Sequence, residues 1–104
     1  MSYRTEFPDY PAADMPAEVA AWEDISWHND SCPCFVPCSN LTVWIDYANP
    51  AQREWAAFNP ARFSIIATDD EGCLLNDIGQ QALLHTDNWV EVLMFVSNAM
   101  NERA

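Results

Sequence analysis

Sixteen Asp and Glu side chains share this chain with four Arg and no Lys, and that imbalance limits what it can fold into. The formal net charge is -12, so any compact state holds like charges near one another. Half of the residues are nevertheless hydrophobic, with five Trp, five Phe and three Tyr. Disordered acidic segments are poor in aromatics and cannot bury enough apolar surface to fold. The composition therefore points to a folded domain with an anionic surface. Such a surface repels nucleic acid and anionic membranes and attracts basic protein surfaces.

The 104 residues are expected to form one domain, 1–104, with 1–14 as an arm lying on it or a mobile tail. A chain of this length buries roughly 65% of its unfolded surface, so it needs neither metal nor disulfide to fold. The apolar run at 92–96 is too short to span a bilayer. The first six residues carry no apolar h-region, so a cytoplasmic location with reduced thiols is expected.

The pattern predicts an α+β fold: a small antiparallel sheet of three to five strands, a C-terminal helix on one face and a short N-terminal helix. Pro16 is placed to open that N-terminal helix, with Met15, Val19 and Trp22 on one side. A short strand is expected at 25–29. The proline-bearing stretch 30–40 should be irregular or at a sheet edge. Residues 41–47 alternate most cleanly: Leu41, Val43, Ile45 and Tyr47 against Thr42, Trp44 and Asp46. Residues 63–68 form a second strong strand, Asp69-Asp70-Glu71-Gly72 a hairpin loop, and 73–76 its return. A loop or single helical turn is expected at 51–60 and another short strand at 82–85. Asn88 with Glu91 has relaxed capping-box spacing ahead of a helix in which Trp89, Val92, Leu93, Val96, Ala99 and Met100 recur.

His28, Cys32, Cys34 and Cys38 fall within eleven residues. Zinc takes four N or S ligands in a tetrahedron, so the ligand count suits it. The Cys-x-Cys spacing and the flanking prolines do not suit an ordinary knuckle, and no metal or other cofactor is expected. Small buried thiols are the plainer reading. A disulfide from Cys32 or Cys34 to Cys38 or Cys73 is the alternative. A nucleophilic Cys34 with His28 lacks the positive surroundings a thiolate needs. His85 reads as a structural histidine. There is no G-x-S-x-G elbow, no H-E-x-x-H pair and no Gly-rich phosphate loop. Four Arg cannot line a nucleic-acid groove.

The acid groups Glu18, Glu23, Asp24, Asp46, Asp69, Asp70 and Glu71 are expected to share one contiguous negative surface, with Trp44 as an aromatic contact beside them. Trp44 and Ile66 lie on the sheet face away from Val43 and Ile65. That face needs cover from residues 1–24, a dimer mate or a partner. Crowded carboxylates should also carry raised pKa values, making the fold more stable near pH 5 than near pH 8.

In composition the chain resembles the small acidic inhibitors of phages and mobile elements, of anti-CRISPR and anti-restriction type. The resemblance implies a non-enzymatic module that occupies a basic, nucleic-acid-binding surface of a partner protein, without binding nucleic acid or membrane itself. A zinc- or redox-linked module using His28 and the Cys32, Cys34 and Cys38 cluster is one alternative. An accessory subunit with an aromatic interface is another.

Overall fold

A computed structural model describes residues 2–38, 40–53, 61–68 and 83–103. The described residues form an α+β fold. Five strands pair antiparallel in sequence order: β1 (Glu23–Asp24), β2 (Cys34–Val36), β3 (Leu41–Ile45), β4 (Phe63–Ala67) and β5 (Leu84–Thr86). Helix α1 (Tyr3–Glu6) precedes the sheet and helix α2 (Trp89–Arg103) follows it. Short 3-10 turns cover Ala12–Asp14, Ala17–Ala21 and Pro50–Gln52. The predictions for 54–60, for the Asp69-Asp70-Glu71 hairpin and for its return at 73–76 lie outside the described residues.

β3 is the middle of the sheet, and every one of its residues is buried. Its pleat sends Leu41, Val43 and Ile45 to one side, where they meet Phe35, Phe63 and Ile65. Val92 and Val96 of α2 close that side. Trp44 goes to the other side with Ile66, Cys32 and Cys34, and Ile25 packs against them. The register pairs Cys34 with Trp44, and Trp44 with Ser64, so all three share the second face.

Two local devices set the strand order. Pro33 and Pro37 flank β2, so neither missing N–H falls within the strand, and β2 is internal rather than an edge. Asn40 turns the chain from β2 to β3 at φ 66°, a left-handed conformation that Asn tolerates better than most residues. Its Nδ2 donates to Thr68 O at 3.0 Å, and its carbonyl accepts from Thr68 N at 2.9 Å. A hairpin is thereby made without glycine and tied to the end of β4.

The structure moves several expected boundaries. The first strand is Glu23–Asp24, not 25–29. Beyond it Ile25 N still donates to Cys34 O at 3.1 Å, and Ser26 Oγ then accepts from Cys34 N at 3.1 Å and donates to Cys34 O at 3.4 Å. Pro16 precedes the Ala17–Ala21 turn as its cap instead of opening an α-helix. β5 begins two residues later than expected. At the start of α2, Asn88 Oδ1 accepts from Val90 N at 3.0 Å, while Glu91 accepts a hydrogen bond from the Thr86 hydroxyl rather than from Asn88.

The cover of the second face is the main correction. Phe7, Tyr10 and Val19 from the N-terminal region are buried, but in the core that α2 shares. Among the described residues, the second-face cluster is met instead by residues of the β1–β2 connection, Ile25 and Cys32. The N-terminal region cannot reach that face, because three buried anchors already commit it to the opposite one.

Candidate functional site

Residues 2–22 bring most of the chemistry to the first face. Tyr3 and Tyr10 stand edge to face with centroids 5.9 Å apart, and Tyr10 leans on Tyr47 at 5.0 Å. Arg62 ties this aromatic layer to the sheet. Its Nε donates to Asp46 O at 3.1 Å, and its Nη2 donates to Tyr10 OH at 2.9 Å and Asp14 O at 2.6 Å. The Tyr10 hydroxyl donates in turn to Asp46 O at 3.1 Å. Arg53 behaves alike, donating to Tyr47 O at 2.7 Å and Ala48 O at 3.2 Å. Both guanidinium groups thus donate to backbone carbonyl oxygens, and Arg53 Nη1 also lies 4.0 Å from Asp87 Oδ1.

Of the acid groups singled out from the sequence, the four among the described residues differ in setting. Glu18 and Glu23 are exposed. Asp24 is a latch: Oδ2 accepts from Tyr3 N at 2.8 Å and Oδ1 from Ser26 N at 3.0 Å. Asp46 is buried, and its Oδ1 accepts from Tyr47 N at 2.8 Å. The pairing continues past Ile45, with Asp46 N donating to Arg62 O at 2.8 Å, and Tyr47 joins the first-face core as the alternation of 41–47 expects. Trp44 is also buried, with Nε1 donating to Thr42 Oγ1 at 3.0 Å, so it presents no ring to a partner. Asp69, Asp70 and Glu71 lie outside the described residues. Exposed Asp14, four residues before Glu18, was not singled out.

The thiol cluster is taken apart by the sheet. Cys32 and Cys34 lie in the second-face core, whereas Cys38 packs against the first-face core. His28 is exposed, with its Nδ1 3.0 Å from Glu6 Oε1 and its ring 4.2 Å from Trp27. Among the described residues, no three His, Cys, Asp or Glu side chains are grouped to hold a metal. Burial pushes the Cys34 thiol well up, aided by negative neighbours, which disfavours the nucleophilic thiolate. Ser64 Oγ lies 3.0 Å from His85 Nδ1, a spacing suited to a nucleophile and base. Ser64 is nevertheless buried within β4 and directly opposite His85 on β5, so the pair acts as a cross-strand tie.

Glu18 has a different setting. Its Oε1 accepts from Trp89 Nε1 at 2.9 Å, joining the Ala17–Ala21 turn to the start of α2. Trp22 and Trp89 pack at 5.7 Å beneath this bond. An open groove of about 530 Å³ runs beside them, between Ala21 and Trp22 on one wall and Leu93, Val96 and Met100 on the other. Glu18 borders it. The helical repeat of Leu93, Val96 and Met100 was visible in the sequence, but it reads there as a core stripe. Only the folded chain leaves one flank of that stripe uncovered.

Titration does not follow the expected rule of crowded carboxylates. The hydrogen bond from His28 holds Glu6 below the usual carboxylate value, and the bond from Trp89 does the same for Glu18. Partial burial raises Asp30. Lowered acids contribute stability above the unfolded carboxylate range and lose it as pH falls, while a raised acid works the other way. The described groups therefore do not support a general gain of stability on acidification.

The tyrosines give the clearer pH signature. Burial raises the Tyr10 pKa against the opposing pull of Arg62, and burial with the Asp9 bond raises Tyr47 more. Tyr47 OH donates to Asp9 Oδ1 at 2.7 Å. A raised folded pKa means stability that is intact below the unfolded value of about 10 and is lost as pH rises above it. We expect Tyr10 and Tyr47 to resist ionisation until the fold gives way. Tyrosinate absorbance and helical circular dichroism should then change together in strong alkali. Full titration of every tyrosine with the helix signal intact would contradict this.

Among the described residues, no helix is long and apolar enough to cross a membrane. No family model, curated protein or solved structure matches this chain.

Proposed function

We propose that this protein is a non-enzymatic acidic binding module that acts in the cytoplasm on a partner protein with a basic surface. In its specific form it is an inhibitor that occupies a nucleic-acid-binding surface, like the anti-CRISPR and anti-restriction proteins it resembles in composition. The observation that carries this reading is the charge balance itself: sixteen acid groups against four Arg leave an excess of twelve negative charges that the chain's own cations cannot neutralise. Among the described residues two ion pairs occur: His28 with Glu6, and Arg53 with Asp87 at the outer limit of 4.0 Å. Exposed Asp14, Glu18 and Glu23 present charge on the N-terminal side of the domain. Complementary charge of this kind speeds encounter and selects basic partners.

The test is capture of a partner from host extract by the tagged protein, followed by elution with heparin or with salt. A charge-driven contact with a nucleic-acid-binding surface releases the partner to both, because the polyanion competes for the same groups and salt screens them. A partner that withstands heparin and high salt would overturn the reading and favour a purely apolar interface.

A further inference from the structure

The groove between the Ala17–Ala21 turn and α2 is an apolar surface that no described element covers. Met100, 46% exposed, lines the groove beside Trp22, Leu93 and Val96, so its exposure belongs to a contiguous apolar surface. Met is also the side chain best able to repack around a visitor. The mouth is not neutral. Glu18 stands there, its carboxylate held by Trp89 and kept ionised by the same bond.

We propose that this groove docks a basic amphipathic helix of the partner protein, with apolar residues on one face and Lys or Arg flanking them. This rests on the reading of the protein as a binder of basic surfaces, and it names the surface and the form of the ligand. Apolar side chains at i, i+3, i+4 and i+7 enter between Trp22 and Met100, which is how helices recognise apolar grooves. A flanking cation then meets Glu18, whose bound oxygen still leaves acceptor capacity on the carboxylate. Charge also selects the occupant. A second copy of this chain would bring a further -12 to the same place, whereas a basic helix lowers the repulsion the fold already carries.

The test uses the full chain and a synthetic helical peptide with Leu at i, i+3, i+4 and i+7 and Lys elsewhere. A control peptide has the same composition in scrambled order. Affinity is read by fluorescence anisotropy, and the bound surface by amide shifts. The patterned peptide should bind about tenfold tighter than the scrambled one and move the amides of Ala21, Leu93, Ser97 and Asn101. Met100→Asp and, independently, the rim variant Ser97→Arg should each cut its affinity by about tenfold. Ser97 is exposed, so that second variant tests the site even where the first disturbs folding.

Equal binding of both peptides, with shifts around Asp14 and Glu23 instead, would overturn the groove while leaving the charge-based function standing. Failure of both peptides at low salt would count against the function and the groove together. A dimer in sedimentation that Met100→Asp dissociates would overturn the proposed occupant in favour of a second copy.

Discussion

Phe35→Ala should lower the unfolding free energy by about 3–5 kcal/mol, the usual loss for truncating a fully buried Phe. Phe35 sits in β2 at 2% exposure, pairs across from Val43 and meets the Tyr3 ring edge-on at 6.1 Å. Its removal opens a cavity between the sheet and the N-terminal region, and rigid β3 neighbours cannot move in to fill it. A domain of this size has only about 5–15 kcal/mol in total, so much of the variant should be unfolded on mild heating. Urea denaturation of both proteins measures the difference. A loss below about 1 kcal/mol would mean that Phe35 is not part of a close-packed core.

Arg62→Lys should cost about 2–3 kcal/mol, despite keeping the charge, because the Arg hydrogen bonds fan out to Asp46 O, Asp14 O and Tyr10 OH from one planar group. Lys offers a single point charge and cannot span those acceptors. The buried Tyr10 hydroxyl keeps one bond, to Asp46 O, so the variant should fold. The region around 7–14 should loosen first, since Arg62 joins Asp14 O and Tyr10 OH of that region to Asp46 of the sheet. Hydrogen exchange should show earlier loss of protection at the Tyr10 and Asp14 amides than at β3. Combining Arg62→Lys with Tyr10→Phe should give less than the sum of the single losses, by about 0.5–1.5 kcal/mol, because the two share a hydrogen bond. Unchanged stability and protection in Arg62→Lys would show that the charge alone holds the region.

The alternating pattern over 41–47 was enough to place β3 and its two faces, because side chains in a strand reverse direction at each residue whatever surrounds them. The caps at Asn88 and the apolar repeat beyond it likewise placed α2, for both are local properties of a few residues. The α+β class followed from these elements. β2 was not legible: two prolines suggested irregular chain, and only the pairing with β1 and β3 shows that they sit outside the ladder. Ser26 hid the end of β1 in the same way, by supplying with its hydroxyl a bond that a strand would take from its backbone.

Net charge and the shortage of cations were fixed by composition, and they set the class of partner that the protein can attract. Where each carboxylate points was decided by tertiary structure. Asp24 and Asp46 look like Glu18 and Glu23 in the sequence, but the first two receive backbone N–H groups and turn inward, while the latter two stay in water. Proximity of His28, Cys32, Cys34 and Cys38 along the chain similarly said nothing about proximity in space, because strand β2 carries Cys34 to one face and the turn after it returns Cys38 to the other. The groove beside Glu18 is the extreme case. It exists only where a short turn from one end of the chain fails to cover a helix from the other, and no local pattern encodes the distance between them.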